Sequence, residues 1–333
     1  MHLPDQPIYR EAFLSPMTVD EINVLTQRAR ALPPSGDQTY VLVEDGEDPW
    51  VISHQGFFYY CTVDRAKKKI LISKFSHLDE MASAEPLEIW PGAKSAPLPF
   101  LEIWSPELQW IEGKWYIYFA LYLGENGAER MYVLEGKTDD PQGAYDFKGK
   151  LEIPTERWAI DGSVLETESG EKYFIWSGWE AHTNTSQYLY IARMSNPWTI
   201  SSDRVCLSKP EYDWEKRGYP YVNEGPQALI RNGQLFIIYS ASGSWTDDYC
   251  LGQLTFLGGD PFDPRAWKKE PKPVFSKTDT IFGPGHASFV QCEDQDFIIY
   301  HAARSSQAGW ARQIRAKPFG WHADGSPDFG SPA

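Results

Sequence analysis

One short pattern occurs five times along the chain: Gly56-Phe57-Phe58-Tyr59-Tyr60, Gly113-Lys114-Trp115-Tyr116-Ile117, Gly170-Glu171-Lys172-Tyr173-Phe174, Gly233-Gln234-Leu235-Phe236-Ile237 and Asp294-Gln295-Asp296-Phe297-Ile298. Each copy starts with a turn former and continues as an aromatic strand. The copies begin at 56, 113, 170, 233 and about 295, an interval of 57 to 63 residues, which is room for a four-stranded sheet with its loops. Such a period predicts the blades of a propeller. The repeated segments carry no apolar spacing of the 3.6-residue kind, which excludes a solenoid of helix pairs. The expected class is all-β, a five-bladed β-propeller over residues 40–333.

In a propeller the innermost strand of each blade lines a central channel, and equivalent positions converge at one mouth. Counting back about nine residues from each turn lands on Asp48, Trp104, Asp161, Glu224 and His286. The spacing alone therefore predicts that three carboxylates, a tryptophan and a histidine face one another.

Residues 1–39 read differently, as an N-terminal extension. Thr18-Val19-Asp20-Glu21 has the form of a capping box, Ile22, Leu25 and Ala29 follow at helical spacing, and Pro33-Pro34-Ser35-Gly36 ends the segment. One short helix is expected there. At the other end, the stretch from Trp310 alternates as a final strand or two that complete a blade and help hold the ring shut.

The net charge of −15 repels nucleic acid and anionic membranes, and suits a neutral ligand. Cys61, Cys206, Cys250 and Cys292 show no metal-type spacing and read as free thiols in apolar strands. No stretch is long and apolar enough for a membrane span. Residues 1–13 lack the apolar core of a signal peptide, so a native start at Met1 implies a cytoplasmic protein.

Asp48 stands in Glu47-Asp48-Pro49-Trp50, before the apolar pair Val51-Ile52. Pro49 offers no amide to a sheet ladder, which places the strand's start at the mouth. Asp161 interrupts the apolar run Trp158-Ala159-Ile160-Asp161-Gly162-Ser163-Val164, where partial burial raises a carboxyl pKa. Glu224 lies in Val222-Asn223-Glu224-Gly225-Pro226; Gly225 lets the backbone pass close to a ligand, and Asn223 is placed to orient Glu224 or a sugar. For His286, in Gly283-Pro284-Gly285-His286, the residues leave two roles open, an ion ligand on the channel axis or a hydrogen-bond partner of a carboxylate. Zinc spacing is absent, as are the G-x-S-x-G and G-x-x-x-x-G-K-[ST] motifs. Paired carboxylates without other equipment suit glycoside hydrolysis, one acid protonating the leaving oxygen and one carboxylate activating water. Trp104, Trp110, Trp179 and Trp245 add flat faces for sugar rings.

At these segments the sequence resembles glycoside hydrolase family 43, five-bladed propeller enzymes acting on arabinosides and xylosides, over about residues 40–330. Glu47-Asp48-Pro49 is similar to the motif of the general base, Trp158-Ala159-Ile160-Asp161-Gly162 to that of the pKa-tuning aspartate, and Val222-Asn223-Glu224-Gly225-Pro226 to that of the general acid. Tyr239-Ser240-Ala241-Ser242, Tyr249-Cys250-Leu251-Gly252 and Arg312-Gln313-Ile314-Arg315 resemble the exo-acting α-L-arabinofuranosidase branch, which implies Arg312 as a substrate contact. The resemblance also implies that His286 faces a hydrated ion in the channel, taken as a structural calcium, and that no cofactor serves the chemistry. Ser105 stands where the resemblance leads one to expect alanine.

The reaction so implied is a single displacement with inversion, Glu224 as acid and Asp48 as base, with roughly 6.5 to 9.5 Å between their carboxyls. A negative Asp161 beside Glu224 is expected to raise its pKa. The expected substrate is a terminal α-L-arabinofuranosyl residue of an arabinan or arabinoxylan-type glycan. The alternatives are a β-xylosidase of the same fold and a glycan-binding propeller without activity.

Overall fold

The repeat predicts hairpins, and the computed structural model, which describes residues 40–332 apart from 93–95, 97 and 126, has them. In three copies the turn is a two-residue loop with both residues left-handed: Gln55-Gly56 (φ 48° and 77°), Glu112-Gly113 (51° and 77°) and Asn232-Gly233 (49° and 75°). Loops of this kind twist in the same sense as the strands they join, and glycine in second place takes its positive φ without a Cβ clash.

The strands form five antiparallel meanders. After β1 (Tyr40–Val43), the first is β2 (Trp50–His54), β3 (Phe57–Asp64), β4 (Lys69–Phe75) and β5 (Pro86–Trp90), paired in that order. The second is β6 (Glu102–Ile111), β7 (Lys114–Tyr122), β8 (Arg130–Gly136) and β9 (Tyr145–Lys150). The third is β10 (Ala159–Glu166), β11 (Lys172–Trp179) and β12 (Ser186–Asn196), with the short β13 (Thr199–Ile200) and β14 (Val205–Ser208) both paired to β12. The fourth is β15 (Tyr221–Arg231), β16 (Gln234–Ala241), β17 (Cys250–Phe256) and β18 (Trp267–Lys269), and a brief parallel pairing of Ser186-Gln187 with Tyr221-Val222 joins it to the third. The fifth is β19 (Phe282–Cys292), β20 (Gln295–Ala303) and β21 (Arg312–Trp321), with β22 (Pro327–Asp328) beside β21. Its outer position is taken by β1, which pairs antiparallel with β21 from Tyr40 opposite Ala316.

Middle strands are covered on both faces, so they read as unbroken apolar runs: every residue of β7 from Trp115 to Leu121 is buried. Five apolar clusters lie between successive meanders. Cys61 and Ile72 of the first pack with Ile117 and Phe119 of the second, and Tyr118 of the second with Phe174 and Trp176 of the third. Ile175 of the third packs with Ile237 of the fourth, and Ile238 of the fourth with Ile298 of the fifth. The cycle ends where Ile299 and Ile314 of the fifth meet Val51 and Phe58 of the first, with Leu42 of β1 in the same cluster.

The all-β class expected from the sequence is the one found. Among the described residues there is no α-helix; single 3-10 turns stand at Leu78–Glu80, Asp213–Glu215 and Pro264–Ala266, and no helix is long and apolar enough to cross a membrane. The helix expected within residues 1–39 lies outside the described residues. The four cysteines are free.

Because β1 closes the cycle from the opposite end of the described chain, its one deeply buried side chain is a test of that seam. Leu42→Ala is expected to destabilise the protein by about 2–5 kcal/mol, read as a lower urea midpoint at unchanged m-value. An unchanged midpoint would mean that the seam contributes nothing to stability.

Candidate active site

The first strand of each meander carries the same backbone feature. Asp48 (φ 45°), two residues ahead of β2, Ser105 (42°) in β6, Asp161 (52°) in β10, Gly225 (54°) in β15 and His286 (49°) in β19 are all left-handed. In the last four strands the register slips there: between Trp104 and Glu107, Ile160 and Ser163, Glu224 and Gln227, and Gly285 and Ser288. These are β-bulges, which bend a strand and re-aim its side chains. Left-handed backbone costs a non-glycine residue roughly 1–2 kcal/mol, so strain is concentrated at this level. The equivalence read from spacing holds at Asp48, Asp161 and His286. In two strands the bulged residue is one further on, Ser105 rather than Trp104 and Gly225 rather than Glu224.

A cavity of about 640 Å³ opens over this ring of bulges. Asp48, Asp161, Glu224, His286 and Arg312 line it together with five tryptophans, Trp104, Trp158, Trp179, Trp245 and Trp310. A second opening of about 370 Å³ reaches Asp48 from the β3 side, past Tyr60 and Thr62, and neither Asp161 nor Glu224 lines it.

Asp48 is held from four directions. Its backbone N–H donates to His301 Nδ1 (3.0 Å), its Oδ2 accepts from the Ser105 hydroxyl (3.2 Å), and its Oδ1 lies 3.3 Å from Nδ1 of both His286 and His301 and 3.6 Å from Arg312 Nη1. Burial disfavours the charged carboxylate, but the facing His286 and Arg312 outweigh it and hold Asp48 well below the ordinary range. Burial, helped by Arg312, pushes His301 down to about 3, so this ring is neutral and its Nδ1 is free to accept the Asp48 amide.

Glu224 lies in the opposite condition. Burial lifts it to about 7, Tyr249, whose hydroxyl donates to Oε1 at 2.7 Å, works against the rise, and the Asp48 charge adds to it. Asp161, 2% exposed, is also pushed well up, first by burial and then by Glu224 and Asp48, although Gly225 N–H donates to its Oδ2 at 3.2 Å. The like-charge effect expected between Asp161 and Glu224 is thus borne chiefly by Asp161 itself. At neutral pH Asp48 is ionised, Glu224 stands near its midpoint, and Asp161 favours the protonated form.

Trp104 and Trp179 stand in the cavity wall, Trp179 stacked on Trp158 at 5.1 Å, and Arg312 reaches both the cavity and Asp48. Trp110 does not; it is half-buried and packs on Trp115 at 4.8 Å, against the core. Asn223 is a correction. Its side chain is fully buried on the other side of β15, donating to Glu215 Oε1 (3.1 Å) and accepting from Ser208 (3.0 Å), because successive strand residues face opposite ways. It is not available to a sugar. His301 and Tyr249 escaped the reading as partners of the carboxyls; a lone histidine in the apolar run of β20 was the available signal.

Asp161, Glu224 and His286 offer ligand atoms within 4.8 Å of one another. Calcium takes six to eight oxygens, whereas this set supplies two carboxyls, each already accepting a hydrogen bond, and a ring whose Nδ1 faces Asp48. The rest of a calcium shell would have to come from water, and His286 Nδ1 faces Asp48 in the second of its two expected roles, that of a carboxylate partner.

The profile of glycosyl hydrolases family 43 matches residues 39–327. An extracellular exo-α-(1→5)-L-arabinofuranosidase of Streptomyces chartreusis is 34% identical over 90% of this chain and 93% of its own length. A protein of the same name from Streptomyces avermitilis is 33% identical over 90% of this chain, which spans 64% of that relative. Among solved structures, an α-L-arabinofuranosidase from Lactobacillus brevis superposes with a TM-score of 0.80 at 35% identity, covering 88% of this chain and 97% of the other. Both Streptomyces relatives are named extracellular, which overturns the cytoplasmic placement expected from residues 1–13. The lack of an apolar core in those residues does not determine the compartment.

Tyr249 supplies the hydrogen bond that favours ionised Glu224. Tyr249→Phe is therefore expected to raise the pKa of Glu224 by up to about one unit and move the alkaline limb of the kcat/KM profile upward from about 7. A limb that stays in place would separate it from Glu224.

Proposed function

We propose that this chain, which belongs to glycosyl hydrolases family 43 and is a glycosidase, releases terminal α-L-arabinofuranosyl residues from arabinan or arabinoxylan-type glycans with inversion. The names of the Streptomyces and Lactobacillus relatives support the arabinoside over the xyloside. The observation that carries the mechanism is the split between two carboxyls in one cavity, Asp48 held well below its ordinary pKa and Glu224 lifted to about 7.

In this reading Glu224 gives its proton to the departing glycosidic oxygen as the C–O bond breaks. Asp48 takes a proton from the water that attacks the anomeric carbon on the opposite face. No hydrogen bond joins Asp48 and Glu224; His286 stands beside both, 3.3 Å from Asp48 and in the 4.8 Å group with Glu224, which leaves a place for substrate and water. The opening past Tyr60 and Thr62 gives water access to Asp48 from the side away from Glu224. After turnover Asp48 holds a proton and Glu224 has lost one, and exchange with solvent restores both. Asp161 orients the sugar and, with Glu224, limits how much negative charge the cavity holds. No step uses a metal or cofactor.

The five meanders in a closed cycle support a five-bladed propeller with the inner strands around a channel, and residues 40–333 as its catalytic domain. Residues 1–39 are then an extension to it. The partner is a neutral arabinose-containing glycan, and the charge of −15 disfavours nucleic acid and anionic membrane.

Wild type is expected to cleave an aryl α-L-arabinofuranoside in preference to the aryl β-D-xyloside, with the first-formed anomer inverted by proton NMR. Glu224→Gln is expected to lose about 10²–10⁴-fold in kcat on substrates with poor leaving groups and much less on activated aryl glycosides. Asp48→Asn is expected to lose activity on both alike. A preference for the xyloside would move the assignment to β-xylosidase, and full activity in Asp48→Asn would remove that residue as the base.

A further inference from the structure

We propose that the rim carrying Tyr219, Trp245 and Trp310 is a binding platform for the sugar rings that follow the cleaved residue in a neutral furanose polysaccharide. The proposal rests on the reading of the reaction above and extends it from the bond cleaved to the chain that carries it.

Two of these aromatics are unusually bare: Trp310 and Tyr219 are each 65% exposed. They are also linked to the catalytic cavity in a continuous series. Trp245 and Trp310 line that cavity, with their rings edge to face at 6.3 Å. Gly218, next to Tyr219, packs against Trp245, since a Cβ there would stand 3.2 Å from Trp245 Cζ2. Tyr219 also meets Tyr221, edge to face at 5.5 Å, and neither tyrosine lines the cavity. The series therefore extends beyond the lining of the cavity.

The rim is built to hold its shape. The three loops that carry the rings are joined by hydrogen bonds. Gly243 N–H donates to Arg217 O (2.7 Å), and Arg217 N–H to Ser242 Oγ (3.1 Å). Ser306 Oγ (2.5 Å) and Gln307 N–H (2.8 Å) both donate to Asp247. Trp310 Nε1 donates to Ser244 Oγ (3.3 Å) and Arg312 Nη2 to Ser244 O (2.8 Å). Exposed aromatic faces on pre-ordered loops bind without a large ordering cost. Flat faces meet the C–H side of a sugar ring while its hydroxyls stay in water. The protein's charge of −15 suits a neutral chain and disfavours a polyanion.

The test compares two substrates in wild type, Tyr219→Ala and Tyr219→Phe: a long linear arabinooligosaccharide and 4-nitrophenyl α-L-arabinofuranoside. On the oligosaccharide Tyr219→Ala is expected to raise KM about tenfold at little-changed kcat, while Tyr219→Phe keeps the wild-type value. On the aryl glycoside, too short to reach Tyr219, all three are expected to agree within about twofold. Equal losses on both substrates, or none on either, would overturn the platform, as would a change of sedimenting species in Tyr219→Ala, which would make the rim a contact between copies. If wild type cleaves neither substrate, the assigned reaction fails, and the platform is judged separately by retardation of the protein in an arabinan-containing native gel. Retardation lost in Tyr219→Ala supports it, and absence of retardation in wild type overturns it.

Discussion

A left-handed residue in or just ahead of the first strand of each meander decides where the side chains of the cavity can point. Without the bulges, successive residues of a strand would alternate strictly between its two faces. With them, Asp48, Asp161 and His286 leave the backbone at the left-handed residue itself, and Glu224 leaves it one residue earlier, yet all four line one cavity. Gly225 makes the arrangement possible twice over. A Cβ at this position would press to 3.3 Å from the His286 ring, and its freed amide donates to Asp161. Glycine after Glu224 thus makes room for His286, and gives Asp161 a fixed partner.

Electrostatics follows from that crowding. Asp48, Asp161 and Glu224 line one cavity with Arg312, whose Nη1 lies 3.6 Å from Asp48 and has no ion pair with the other two. Burial opposes charge on all three, so the site favours a single ionised carboxylate, the one with Arg312 and the Ser105 hydroxyl beside it. Nothing in Asp48 or Glu224 as residue types depresses the pKa of one and raises that of the other. The difference lies in what each strand mouth places within hydrogen-bonding distance.

The repeat and its hairpin turns were legible because turn chemistry and aromatic strands are local signals. Gln55-Gly56 and Glu112-Gly113 specify their loops with no help from the rest of the chain. Asp48, Asp161 and Glu224 were legible for a related reason, since a charged residue at the edge of an apolar run stands out at constant spacing. What could not be read was direction. The bulge falls on Ser105 and Gly225, one residue beyond the count, and Asn223 turns away to Glu215 and Ser208 although its neighbour Glu224 turns inward. His301 reaches Asp48 across 253 residues of sequence, from the second strand of the fifth meander, where a histidine in an apolar run looks like any buried ring. Contacts between strands at different depths in different meanders depend on the packing angle of the sheets, which no local pattern records.

The site also costs stability, and the closed cycle explains how the fold bears it. Four non-glycine residues of the ring are left-handed, at roughly 1–2 kcal/mol each. Glu224 is lifted from the ordinary 4.5 to about 7, so across that window the unfolded chain has lost its proton while the folded one keeps it, and stability falls as pH rises. Asp48 acts with the opposite sign: its depressed pKa adds stability above the ordinary range that is lost as pH falls through the folded value. These penalties meet at the inner strands, and each inner strand belongs to a meander gripped by an apolar cluster on either side. To relax one bulge a meander must loosen two clusters at once, and the pairing of β1 with β21 gives the first and last meanders the same double hold as the others. Strain that an open stack of sheets would shed at its ends therefore stays at the mouth, where it keeps the carboxyls in their unequal surroundings.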